Sequence, residues 1–170
     1  LNVNGIFEGR FDTILTNPPF GANLEPTDKV QESDVALDSE VEKLYQSRYQ
    51  APYIEARKRL WGAVGEPIGK LFELPKNGQG KIGKIKTEVL FIERCLDLLK
   101  PGGRLGIVLP EGIFNNPSLG YVRQFVEDRA RLLAVVSLPQ ETFMSSGASV
   151  KCSLLFLQKF TEAQAAEYAA

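Results

Sequence analysis

Hydrophobic positions are unevenly spread along the chain, and the unevenness predicts its elements. Residues 11–16 (FDTILT) predict a short strand, closed by Asn17-Pro18-Pro19, which neither a central strand nor a helix interior accommodates. Residues 21–85 are polar, charged and broken by Pro and Gly; within them, 35–49 and 54–61 predict modest helices. The second half is clearer. Over residues 87–100 the 3.6-residue period places Lys86, Glu93, Asp97 and Lys100 on one polar stripe, with apolar residues over most of the remainder. Pro101-Gly102-Gly103 stops that helix, and residues 104–109 (RLGIVL) predict a nearly all-apolar strand, the pattern of a strand covered on both faces. A helix over 121–131, a strand over 132–138, an apolar strand over 152–158 and a helical tail over 161–170 follow.

Strand, helix, strand, helix, strand with short connections defines an α/β sheet, expected to carry helices on both faces. The last connection, residues 140–151, shows no helical pattern. A parallel crossover needs about a dozen residues and usually a helix, so the last two strands are expected to be antiparallel neighbours.

Composition changes this picture only at a few points. The chain has 170 residues, 44% apolar and 24% charged, which suits one soluble domain with a real core. No window reaches the ~18 uninterrupted apolar residues of a membrane span, and no secretory leader opens the chain. Cys95 and Cys152 both lie in apolar runs and read as buried free thiols. There is no histidine, so His-based triads and His-containing zinc sites are excluded within the chain, and no metal is expected. The only methionine is Met144, so Leu1 does not read as a translation start, and the sequence reads as an excerpt of a longer chain.

Net charge is −1, which makes no bulk electrostatic case for nucleic acid. Its distribution is more uneven: residues 25–42 hold seven acids against one base, and residues 57–86 eight bases against two acids. A solvated, self-compensating insertion explains the acidic part; the basic part also suits a loop lying against phosphates. Gly78, Gly80 and Gly83 satisfy G-x-G-x-x-G, but Pro75-Lys76-Asn77 breaks the approach that a dinucleotide site needs. Ile85 also stands where a phosphate loop needs Ser or Thr. A linker is the better reading.

Asn17-Pro18-Pro19-Phe20, directly after a strand, is the most informative feature. A rigid turn explains the prolines but not the aromatic. Methyl transfer to an exocyclic amine explains all four, because its nitrogen lone pair is delocalised into the ring and must be localised by two acceptors on its two N–H bonds. The Asn17 side-chain oxygen and the Pro18 carbonyl supply such a pair, stiffened by the prolines, and Phe20 stacks on a base taken out of its helix. No general base is needed ahead of the transfer.

On these residues the chain resembles the amino methyltransferases that use S-adenosylmethionine, and more closely the N6-adenine DNA methylase family, the modification subunit of type I restriction–modification systems. FDTILTNPPFG, TEVLFIERCLDLLKPGGRLGIVLPEGIFNN, YVRQF, LLAVVSLPQETF and SVKCSLLFLQK follow that family's order, leaving residues 24–85 without a specific match. The resemblance implies the second half of a Rossmann-like catalytic sheet, mostly parallel with one antiparallel strand. Residues 1–160 would be a partial catalytic domain, 24–85 a polar insertion open to flexibility, and 161–170 a tail. It implies S-adenosylmethionine as methyl donor, double-stranded DNA with a flipped adenine as substrate, specificity and restriction subunits as partners, and the cytoplasm of a bacterium or archaeon.

Asn17, Pro18, Pro19 and Phe20 would be the catalytic residues, with only Asn17 and its neighbours touching the cofactor, most of whose pocket would lie outside this chain. The family's glycine-rich turn and acidic partner lie upstream of this motif, so the chain is expected to bind S-adenosylmethionine poorly and to be inactive in isolation. Phe143 is a second candidate for stacking the base, against the reading of a hydrophobic plug. Glu111, just after a strand end, is a ligand-edge candidate against simple solvation, the better reading. Two alternatives remain open: methylation of another planar amine or amide, such as protein glutamine or guanine, and a non-catalytic half-domain serving as an assembly surface.

The resemblance and the short last connection together predict the strand order 11–16, 104–109, 152–158, 132–138, with 152–158 antiparallel to the rest. The free edge at 11–16 is expected to be covered by the insertion, a second copy of the chain or protein outside this sequence.

Overall fold

A computed structural model describes residues 9–76, 79–146 and 150–168. They fall into two compact units. Leu24–Lys84 form one; Gly9–Asn23 and the chain from Ile85 onward form the other.

The first unit is organised around α1, Ser39–Gly62, whose N-terminus is capped by the Asp38 carboxylate accepting from the Glu40 N–H at 2.8 Å. Pro52 lies inside this helix, and Gln50 takes φ 49°, ψ −126°. A proline ring clashes with the carbonyl four residues back, so the helix breaks into two runs there. The two helical runs expected here are both present, although the first begins at Ser39 rather than residue 35. Val35 closes a separate single turn, Glu32–Val35. Tyr53 and Ala56 are buried, packed by Leu37, Tyr45 and Tyr49. Arg57 pairs with Glu42 at 3.0 Å, so the acidic and basic stretches compensate one another at that point.

The glycine-rich loop turns back on itself. Lys76 bridges Ile82, and the Gly83 N–H donates to the Pro75 carbonyl at 2.8 Å. Gly78, the first glycine of the G-x-G-x-x-G pattern, lies outside the described residues along with Asn77.

The second unit is a four-stranded sheet. Its elements are β1 (Phe11–Thr16), α2 (Thr87–Leu98), β2 (Leu99–Pro110), α3 (Gly120–Glu127), β3 (Ala130–Ser137), β4 (Cys152–Lys159) and α4 (Glu162–Tyr168). The strand order is β1-β2-β4-β3, with β1 parallel to β2 and β4 antiparallel to both its neighbours. This is the predicted order and polarity. The 139–151 connection carries no α-helix of the kind a parallel crossover usually uses, and β4 runs back between β2 and β3.

Boundaries differ in instructive ways. β2 begins at Leu99, five residues before the predicted strand, because Pro101-Gly102-Gly103 ends the helix yet stays in the sheet as a bulge. Phe11 faces Leu99 while Thr13 already faces Arg104. Gly102 takes φ +80°, and a Cβ on Gly103 would stand 2.9 Å from the Lys100 carbonyl and 3.1 Å from that of Phe11. Both obstacles are backbone. Gly103→Ala is therefore expected to cost roughly 1–3 kcal/mol, read as a lower thermal midpoint. Gly112→Ala is the control, since nothing lies within 4 Å of the added carbon. α3 stops at Glu127, four residues before the predicted end, and the loop before β4 contains a 3-10 segment, Gln140–Ser146, where no helical pattern is expected.

Glu93 corrects the predicted polar stripe: it is 3% exposed. Around the helix it falls between Val89 and Leu90, which are both buried, so the buried arc of α2 is wider than a sheet-facing stripe.

The expectation of helices on both faces is also corrected for α2 and α3. Register puts Leu105, Ile107, Leu155 and Leu157 on one face, and there Ile92 of α2 and Val122 and Val126 of α3 line a shared apolar cavity with Leu155 and Leu157. The opposite face carries Leu15 and Val136, 77% and 45% exposed. Both crossovers advance in the same direction across the sheet. Right-handed connections advancing one way place their helices on one side.

Candidate functional site

Because β1, β2 and β3 are parallel, their carboxyl ends share one edge of the sheet, and β4 starts there. Thr16 lies level with Ile107, Pro110 with Cys152, and Ser137 with Ser153. Asn17, Glu111 and the loop bearing Phe143 therefore all emerge at this edge, the usual ligand side of an α/β sheet.

The Asn17-Pro18-Pro19-Phe20 segment leaves β1 with Pro18 buried, Asn17 and Pro19 exposed, and Phe20 half-buried. The Asn17 side chain makes no hydrogen bond among the described residues, which leaves its carbonyl oxygen open as an acceptor. Both prolines fix φ, and Pro19 holds Pro18 extended. The chain then reverses at Gly21, whose φ of +82° suits glycine. Thr87, the first residue of α2, holds the loop from outside: its N–H donates to the Ala22 carbonyl at 3.1 Å, and its hydroxyl lies 3.3 Å from the carbonyls of both Pro19 and Ala22. The pattern of the chain does not single out Thr87. Its only signal there is its place as a polar residue opening the apolar run of α2.

Glu111 is more than a solvated loop residue. The buried Ser153 hydroxyl donates to its Oε2 at 3.0 Å, and its own N–H donates to the Lys151 carbonyl at 2.9 Å. The carboxylate is thereby held at the ends of the two central strands. Burial, with the Glu111 charge as a smaller cause, pushes the Cys152 thiol above its ordinary range, and burial pushes Cys95 up to about 11. Both thiols stay protonated and do not act as nucleophiles at neutral pH.

Phe143 lies half-buried in the 3-10 segment after β3, whose turn is closed by Thr142 donating to the Pro139 carbonyl. Phe20 and Phe143 thus follow the two outer strands. At the usual ~4.8 Å strand spacing their strand ends stand about 14 Å apart, so the sheet does not itself bring the two rings together. Among the described residues no group of three or more His, Cys, Asp or Glu is placed to hold a metal, and no helix is long and apolar enough to cross a membrane.

Three parallel strands and one antiparallel strand, with Asn-Pro-Pro-Phe at the carboxyl end of the outer parallel one, define a Rossmann-like mixed α/β sheet with this motif at its ligand edge. Residues 75–168 match the N-6 DNA Methylase family, and the chain belongs to that family. It is 26% identical over 115 residues to the methylase subunit of the type I restriction enzyme StySPI of Salmonella potsdam, covering 67% of this chain and 20% of that subunit. A solved structure described for complex assembly and conformational transition of the type I restriction–modification system superposes with a TM-score of 0.50 at 25% identity, over 93% of this chain and 23% of the other. The M protein of the type I restriction enzyme EcoKI superposes with a TM-score of 0.41 at 28% identity, over 46% of this chain and 16% of the other. The chain spans about a fifth of the length of the curated relative it matches.

Proposed function

We propose that the protein transfers a methyl group from S-adenosylmethionine to the N6 amino group of adenine in double-stranded DNA, as part of a type I restriction–modification system. The observation that carries this reading is the exposed Asn17 beside the buried, proline-locked Pro18 at the ligand edge of the sheet.

The residues present fit the target-base half of such a site, and within this chain Asn17 and its neighbours would meet the methyl donor. The edge offers neutral acceptors and an aromatic face, and no histidine competes as a base. S-adenosylmethionine, when bound, supplies an electrophilic methyl carbon on a positively charged sulfur. Asn17 Oδ1 and the Pro18 carbonyl each accept one N6–H, which draws the lone pair out of ring conjugation and aims it. Asn17 Oδ1 and the Pro18 carbonyl would hold the amine as it takes up the methyl group, with the donor's neutral thioether as leaving group and the surplus N6 proton passing to water. Phe20 holds the flipped adenine by its face and, as positive charge grows on N6, favours that charge through its ring quadrupole. Asn17 is the residue of this chain assigned to the cofactor, and Phe143, in the loop after β3, is a second candidate for stacking the base.

Specificity and restriction subunits are the assigned partners, and the cytoplasm is the assigned compartment; the names of the relatives, a subunit of a type I restriction enzyme and a type I system described for its complex assembly, support assembly with other subunits. The test uses the protein from its full reading frame, with its partner subunits, unmethylated duplex DNA and S-adenosylmethionine labelled in the methyl group. Label is expected in N6-methyladenine after digestion to nucleosides. Label in guanine or in protein glutamine would support the alternative substrates, and DNA binding without any transfer would support an assembly role.

A further inference from the structure

Thr87 has no part in the chemistry above, yet it makes the contacts that hold the target-base loop. Its N–H holds the Ala22 carbonyl, and its hydroxyl sits between that carbonyl and the one of Pro19, 68 residues away in sequence. A hydroxyl carries one proton. The N–H reaches only Ala22, whereas the hydroxyl proton is within equal reach of Ala22 and Pro19, so the hydroxyl is the group of Thr87 that contacts Pro19.

The torsions of the loop show what that contact controls. Proline rings fix φ at positions 18 and 19, and the ring of Pro19 also restricts ψ of Pro18, so the Pro18 carbonyl is oriented without outside help. ψ of Pro19 is the first backbone torsion beyond the proline pair's own restraints that no ring holds. It sets the direction of the Pro19 carbonyl and, in the same peptide plane, the path into Phe20. Pro19 and Ala22, the two carbonyls around Thr87, bracket Phe20 and Gly21.

We propose that Thr87 is a positioning residue for the reaction: its hydroxyl clamps the Pro19 carbonyl and thereby fixes the Phe20 ring over the base, while the acceptor pair is set independently by the prolines. This rests on the function proposed above and divides that site into two parts. The acceptors of Asn17 and Pro18 are internal to β1 and its proline pair. The stacking ring is governed from the first turn of α2.

The test compares Thr87→Val, which keeps shape and removes the hydroxyl, with Thr87→Ser, which keeps the hydroxyl, in the protein from its full reading frame. Thr87→Ala serves as the hydroxyl-free arm if the valine variant lacks a cooperative thermal transition. Loss of one neutral hydrogen bond is expected to lower kcat about three- to tenfold, with KM for DNA within about twofold. Serine is expected to restore most of the rate. A duplex with 2-aminopurine at the target position gives a second readout, since its fluorescence is quenched by stacking. Thr87→Val is expected to raise that fluorescence in the complex, and Thr87→Ser to leave it near wild type.

Wild-type kcat and fluorescence in Thr87→Val would overturn the proposal. So would equal impairment of the valine and serine variants, which would assign the role to the methyl group, or a lower thermal midpoint with kcat unchanged. If the wild-type protein itself transfers no methyl to DNA adenine, the proposed function fails and this proposal falls with it; if it does and Thr87→Val matches it, only this proposal fails.

Discussion

Asn17→Ala in the protein from its full reading frame is expected to lower methyl transfer to adenine by about 10²-fold or more, by analogy with removal of one preorganised oxyanion-hole donor. DNA binding is expected to stay within a few-fold, because the exposed Asn17 side chain supports no other residue among those described. The reasoning lies in the two-acceptor geometry. With Asn17 gone, the Pro18 carbonyl still accepts one N6–H, but the other hydrogen is unconstrained and the lone pair returns to conjugation. The proline-locked backbone has no second group to substitute. The loss should appear in kcat rather than in KM for DNA, since the interaction matters most as the nitrogen becomes tetrahedral. Asn17→Asp separates geometry from charge: it keeps an acceptor at the same place and should retain more activity than alanine. Turnover of Asn17→Ala near the wild-type rate in a labelled-methyl assay would remove the assigned role.

Much of this arrangement is legible in the amino-acid sequence, for reasons that can be traced to particular segments. The strand order follows from the family resemblance together with one short loop, because a connection of about a dozen residues with no helical pattern disfavours a parallel return of β4 beside β3. The target-base segment is legible because the prolines of Asn17-Pro18-Pro19 leave the chain little freedom. What is not legible depends on partners distant in sequence. Spacing from Lys86 and Asp97 assigns Glu93 to solvent, yet it lies between Val89 and Leu90 on a helix buried over most of its circumference. Thr87 resembles any other residue at a helix start, and only its contacts with Pro19 and Ala22 tie it to the loop. Local sequence makes Glu111 a solvated loop residue, and Ser153, 42 residues away, shows that it is held. Pro101-Gly102-Gly103 is a helix stop by composition. It is also a bulge, because Leu99 finds Phe11 across the sheet before the glycines are reached.

Phe20 is expected to show the second-largest functional effect, and its substitutions separate two physical roles. Base–aromatic stacking contributes about 1–3 kcal/mol per base, so Phe20→Ala should lower kcat by about 10- to 10²-fold. The ring is half-buried, so part of it packs against protein and part remains open to a ligand. Alanine alone would not distinguish loss of a packing plug from loss of a stacking face. Phe20→Leu does, because it keeps apolar bulk but has no π-face for the base and no quadrupole for the growing charge on N6. Leucine is expected to stay close to wild type in thermal midpoint yet near alanine in kcat. Phe20→Tyr and Phe20→Trp keep the face and should retain most of the rate. The expected pattern also differs from that at Asn17. Phe20→Leu should raise 2-aminopurine fluorescence at the target position, since the flipped base loses its quencher, whereas Asn17→Ala should leave the base stacked and only its amine misaimed. A leucine variant that turns over at the wild-type rate would show that Phe20 fills space and that the base is held by another surface, with Phe143 the next residue to substitute.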